Sequence, residues 1–148
     1  YPAGCRVVAV DFSLDMLRVA RRKPCQATLY FSQADVHHLP FPTATFDQAL
    51  GSLLFCSVAD PLAALQEVQS VLRPSGRPLL LEHVRGAHPL MARLTDWLDR
   101  PWHAWSRSCH LNRETAATVV EAGFTLVRSE RHGLGLFQII EAVPIGGK

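Results

Sequence analysis

The chain has 148 residues, 48% of them hydrophobic and 19% charged, with a formal net charge of +2, which is the size and mix of one soluble-type globular domain. Its longest apolar stretch, around residues 49–59, is too short and too interrupted to cross a bilayer, and its arginines are scattered instead of forming a stripe, which argues against a nucleic-acid partner. Cys5, Cys25, Cys56 and Cys109 show no C-x-x-C spacing, so reduced thiols in a reducing compartment, the cytoplasm by default, are expected.

Residues 6–10, RVVAV, form a β-branched run between Gly4 and Asp11 and predict a buried strand. Ser13 fits a helix N-cap, with Asp15 in the first turn and Met16, Leu17, Val19 and Ala20 as apolar positions before Lys23-Pro24. Residues 27–31 predict a second strand; after the turn PTAT, residues 46–55 predict a third, central strand with Gly51 inside it. Asp60-Pro61 caps and starts a helix whose Leu62, Leu65, Val68 and Leu72 share one face, ending at Pro74. RPSG then reads as a turn and residues 77–84 as a fourth buried strand. Residues 88–108 carry Trp97, Trp102 and Trp105 and predict one or two helices broken at Pro101. Asn112 is placed as the cap of a helix through Ala122 that Gly123 closes. Residues 124–127 and 136–142 lie too close for a crossover helix, so they are expected to pair antiparallel, as an edge hairpin on an otherwise largely parallel α/β sheet.

In open parallel sheets, ligands lie beyond the carboxyl ends of the strands. Asp11 stands at such an end, and its two acceptor oxygens suit the paired hydroxyls of a ribose; capping the next helix, the simpler task, already falls to Ser13. Asp35 follows the second strand and precedes Val36. A carboxylate there suits the exocyclic amine of adenine with the valine against the ring, although a turn aspartate is the plainer alternative.

The stretches VVAVDFSLDMLRVAR, QADVHHLPFPTATFDQAL and ALQEVQSVLRPSGRPLLLEHV, in this order, resemble consecutive motifs of class I S-adenosylmethionine-dependent methyltransferases across essentially the whole chain. The resemblance implies a Rossmann-like methyltransferase fold with an antiparallel strand inserted at the sheet edge, and methyl transfer from S-adenosylmethionine to a small-molecule acceptor. It further implies that Asp11 holds the ribose hydroxyls, that Phe12 packs by the adenine, that Asp35 and Val36 contact the adenine edge, and that Leu53 and Leu54 face the cofactor. Within the family, YPAGCRV, FCSVADP, LQEVQSVLRP, EHV and CHLNRET are similar to membrane-associated methyltransferase-like proteins that methylate small thiols and to their bacterial relatives. LPFPTATFD more loosely resembles quinone-biosynthesis and phospholipid methyltransferases.

Two features depart from that pattern. The family's first strand and glycine-rich loop have no counterpart; they are expected upstream of Tyr1, which makes residues 1–148 a single, incomplete methyltransferase domain that binds S-adenosylmethionine weakly or not at all. Any membrane association is likewise assigned to a segment upstream of this chain. Ser75 stands where the family's RPGG turn has glycine, which is tolerable unless the turn needs a positive φ.

A methyl on a sulfonium is already electrophilic, so the protein has chiefly to align a nucleophile and exclude water. A thiol acceptor also needs a base, for which His83 and His110 are the candidates, each equally suited to bonding backbone at an element end. Phe55 and Cys56 are candidates for acceptor contact, against plain core packing, and Trp102 and Trp105 for a lid over an apolar acceptor, against core filling. His37, His38, Cys109 and His110 match no zinc template, and no metal is expected. The competing classes are a nicotinamide-dependent oxidoreductase, against which LPFPTATFD and the closing hairpin count, and a catalytically silent methyltransferase-like module serving as an interaction partner.

Overall fold

In the computed structural model of the protein, which describes residues 1–106 and 108–146, the first β-branched run extends until it ends on the aspartate itself, as β1 (Arg6–Asp11). The chain divides into two compact units, Tyr1–Pro40 and Phe41–Lys148. In the first, β1 is followed by α1 (Leu14–Ala20), capped by the Ser13 hydroxyl on the Met16 N–H, and by β2 (Thr28–Gln33). β1 and β2 run parallel, in register from Arg6 opposite Thr28 to Asp11 opposite Gln33.

The second unit contains β3 (Phe46–Ser52), α2 (Pro61–Val71), β4 (Leu72–His83), α3 (Pro89–Ser106), α4 (Thr115–Glu121), β5 (Phe124–His132) and β6 (Phe137–Pro144). Its sheet has the order β3-β4-β6-β5. β3 and β4 are parallel, and β6 lies antiparallel to both β4 and β5, so the expected edge hairpin forms with its second strand inserted inward. Leu65, Val68 and Val71 of α2 and Val119 of α4 are buried together with Leu80, Phe124, Ile140 and Ala142 of the strands. Each Leu, Ile, Val or Phe side chain among them contributes about 1.5–3 kcal/mol on burial. β4 alternates strictly here: Leu80 is 1% exposed, whereas Leu79 and Leu81 are 42% and 41% exposed. Gly123 closes α4 at φ +93°, where a Cβ would also meet the Gln69 side chain at 2.8 Å.

Several boundaries differ from the expectation. β3 stops at Ser52 and not at Phe55, because Leu53 takes a left-handed φ of 53° and the chain turns. α2 ends at Val71, and RPSG is no separate turn. It is absorbed into β4, where pairing passes from Phe46 opposite Leu72 directly to Gln48 opposite Arg77, so residues 73–76 form an irregular bulge. Ser75 is not among the residues with positive φ, so serine costs nothing there. α3 runs unbroken through Pro101. The cap of α4 is Glu114, without a side-chain hydrogen bond, and not Asn112. β5 continues through the polar residues 128–132, since an edge strand can carry charge on its open side; Arg128 and Glu130 pair there.

Candidate functional site

Asp11 and Asp35 both stand at the carboxyl end of the parallel pair β1 and β2. The Oδ1 of Asp11 accepts the Ser13 N–H at 2.8 Å, so the carboxylate helps shape the strand-to-helix turn and does not present two free oxygens. Its Oδ2 has no partner among the described residues. Oδ1 of Asp35 accepts the His37 N–H at 2.9 Å and lies 2.6 Å from His37 Nδ1. The N–H first and then the ring of His37 hold the Asp35 carboxyl below the usual carboxylate range. Val36 is half-buried, while Phe12 is 78% exposed and its carbonyl accepts from Gln33 Nε2. Each aspartate therefore keeps one acceptor oxygen in hand, which fits hydroxyl and amine donors of an adenosyl group.

In the second unit, parallel β3 and β4 end together near the Ser52–Leu81 pair, and a cluster of polar side chains gathers there. Glu82 is fully buried; its Oε1 accepts the Leu54 N–H at 3.0 Å and its Oε2 the Cys56 N–H at 2.9 Å. Burial pushes this carboxyl above the usual range despite those bonds. Leu53 is exposed, Leu54 half-buried and Phe55 only 1% exposed, its ring lying over Gly51. Cys56 is fully buried, and burial pushes its thiol up to about 12. Its Sγ lies 3.7 Å from Sγ of Cys109, which in turn lies 3.5 Å from Nδ1 of His83.

His83 stacks on Phe137 at 5.1 Å and meets Trp102 edge-on at 6.4 Å. Burial pushes it below the usual histidine range, so the ring is neutral at physiological pH. Trp105 packs beside Trp102 but is 77% exposed, and Trp97 is 75% exposed; these two rings do not fill the core. His110 donates its N–H to the Cys56 carbonyl at 2.8 Å. Its Nδ1 lies 3.2 Å from Oδ2 of buried Asp99, whose Oδ1 accepts the Leu111 N–H at 2.7 Å. In the neutral tautomer that donates from Nδ1 to Asp99, Nε2 is the acceptor.

The structure thus brings His83, His110, Cys56 and Trp102 to one end of β3 and β4. It adds Glu82, Asp99 and Cys109, which the sequence did not single out as working residues. A lone glutamate inside the buried run LLLEH was the available signal for Glu82. Two shallow depressions, about 410 Å³ beside Tyr1 and Cys25 and about 380 Å³ beside Gln69 and Pro144, touch none of the candidate residues. Among the described residues no group of three or more His, Cys, Asp or Glu side chains is arranged to hold a metal ion, and no helix is long and apolar enough to cross a membrane.

The family profile described as Methyltransferase domain matches residues 1–80, more than half of the 148. The chain belongs to this methyltransferase family. Thiol S-methyltransferase TMT1B of Mus musculus is 32% identical over 138 residues, 88% of this chain and 56% of that protein. A demethylmenaquinone methyltransferase of Paenarthrobacter aurescens is 33% identical over 121 residues, 81% of this chain and 47% of that protein. The chain spans about half the length of the curated relatives it matches. The crystal structure of a SAM-dependent methyltransferase of Methanosarcina mazei superposes with a TM-score of 0.72 at 19% identity, covering 95% of this chain and 82% of that one. At that identity the likeness speaks for the fold alone.

Proposed function

We propose that the chain supplies part of the site for S-adenosylmethionine-dependent methyl transfer to a small-molecule acceptor, with a thiol as the acceptor class. The carrying observation is the pair of strand-end carboxylates, Asp11 and Asp35, each with a free acceptor oxygen, in a member of the methyltransferase domain family. Asp11 takes a ribose hydroxyl, Asp35 and Val36 the adenine edge, and Phe12 the adenine face. When bound, S-adenosylmethionine supplies an electrophilic methyl group.

On the acceptor side, Asp99 holds the His110 ring by Nδ1, so that Nε2 takes the thiol proton. Trp102 and Trp105 border the apolar part of the acceptor, with Cys56 and Phe55 behind. Support for a thiol also comes from the similarity to TMT1B. The similarity to a demethylmenaquinone methyltransferase favours a quinone precursor as the second reading, for which an apolar tryptophan border is equally suited.

Titration of the isotope-labelled chain with S-adenosylhomocysteine tests this. Amide signals of residues 11–13 and 35–37 are expected to shift, and the Asp11→Ala/Asp35→Ala variant to weaken binding by about tenfold or more. Methyl transfer to a thiol, a quinol precursor and a phospholipid amine is then compared, with His110→Ala reducing only the thiol reaction. Shifts indifferent to the two aspartates overturn the cofactor assignment; transfer to the quinol alone overturns the thiol.

A further inference from the structure

We propose that Cys56 and Cys109 are an oxidisable dithiol, a site that exchanges with low-molecular-weight disulfides and closes to a Cys56–Cys109 disulfide, with His83 taking the first proton. The two sulfurs are in van der Waals contact at 3.7 Å, although they lie 53 positions apart in the chain. An S–S bond of about 2.05 Å requires them to approach by roughly 1.7 Å. Neither cysteine is in a helix or a strand: Cys56 lies in the turn after β3 and Cys109 in the segment between α3 and α4. Rotation about each side chain and small loop shifts therefore supply the movement without breaking an element.

The environment assigns different roles to the two thiols. Cys109 is half-buried and so within reach of a small disulfide, while Cys56 is fully buried. The acceptor for the Cys109 proton is Nδ1 of His83 at 3.5 Å, on a ring that burial keeps neutral. Cys109 is thus the attacking thiol and Cys56 the resolving one. Cys5 and Cys25 are exposed and have no sulfur contact among the described residues, so they serve as internal controls.

The steps balance. Cys109 passes its proton to His83, and its thiolate attacks one sulfur of R–S–S–R, breaking that bond and expelling RS⁻, which recovers the proton from His83. Cys56 Sγ then attacks Cys109 Sγ in the mixed disulfide and expels the second R group as RS⁻, which leaves with the Cys56 proton. Two protein thiols are oxidised by two electrons and one small disulfide is reduced to two thiols. The second step is the slower one, since the Cys56 thiol is held at about 12. Closure ties the Glu82-held turn to the loop that carries His110. It fixes the groups assigned to the acceptor, yet it is measured on thiols alone and does not depend on the methyl-transfer assignment.

The test treats the Cys5→Ser/Cys25→Ser chain with oxidised glutathione at neutral pH, quenches by alkylation and maps peptides without reduction. A Cys56–Cys109 linked peptide is expected, preceded by glutathione on Cys109 and never on Cys56. Cys56→Ser, or Cys56→Ala should the serine variant not fold, is expected to stop at the Cys109 mixed disulfide. His83→Asn is expected to slow the first step about tenfold or more at neutral pH, the gap narrowing as pH rises. Prolonged oxidation without the linked peptide overturns the proposal. So does reaction of Cys109, in the wild-type chain, no faster than that of Cys5 and Cys25, and equal rates in His83→Asn overturn the role of His83.

Discussion

Glu82 holds the turn between β3 and α2 by accepting the Leu54 and Cys56 N–H groups on its two oxygens. Its folded value lies above the unfolded one because of burial. By linkage, its contribution to stability is complete below the unfolded carboxyl value and is lost as pH rises through the raised value. Glu82→Gln does not titrate, and its amide turns a donor against one of the two N–H groups. Denaturant unfolding is expected to show the variant weaker by about 1–3 kcal/mol at acid pH, with the deficit shrinking toward neutrality. A deficit that widens as pH rises would mean that the folded state favours the charged carboxylate, and would overturn the raised value. Asp11 and Asp35 were legible in the sequence because a strand-end aspartate is a local pattern. Cys56 has its partners 26 and 53 positions away, in Glu82 and Cys109, and only folding reveals such pairs. His110 was legible as a candidate, but Asp99, 11 positions off, was hidden in the tryptophan-rich helix.

Among the elements, α3 departs most from local expectation. Ala92, Thr95 and Asp99 are its buried residues, spaced to lie on one face, and they anchor the turns before Pro101. Pro101 itself is exposed, so its ring meets solvent and not packed neighbours, and tertiary anchoring outweighs the missing N–H toward the Trp97 carbonyl. Pro101→Ala restores that donor. It is expected to raise stability by about 1–3 kcal/mol and to increase helical circular dichroism; a lower melting temperature would mean that the proline shapes a needed bend. The places of the strands along the chain and the closing hairpin were legible because their apolar runs and short connections permit few alternatives; the expected burial of the first strand and central place of the third were wrong, since β1 has no buried residue and β3 lies at the edge of its sheet. Residues 128–132 were not, since charged residues on an edge strand carry the composition of a loop.

At the scale of the molecule, the core is unevenly shared. Leu17 is the one buried residue between Tyr1 and Pro40, whereas the buried aliphatic and aromatic set of α2, β4, α4, β5 and β6 lies in the Phe41–Lys148 unit. A two-stranded sheet with a single buried leucine is marginal on its own, and its backbone hydrogen bonds open at lower free energy than those of a covered sheet. Native-state hydrogen exchange is therefore expected to run about a hundredfold faster for the β1 and β2 ladder than for Leu80 and Ile140, a gap of about 2.7 kcal/mol. The marginal unit is also the one that carries Asp11 and Asp35. A ligand that binds only its folded form stabilises it by mass action, so S-adenosylhomocysteine at ten times its dissociation constant should slow exchange in β1 and β2 about tenfold. Leu80 and Ile140, in the other unit, are the reference for that comparison. Uniform slowing across both units would mean that they open together, and no slowing in β1 and β2 would remove the two aspartates from cofactor binding.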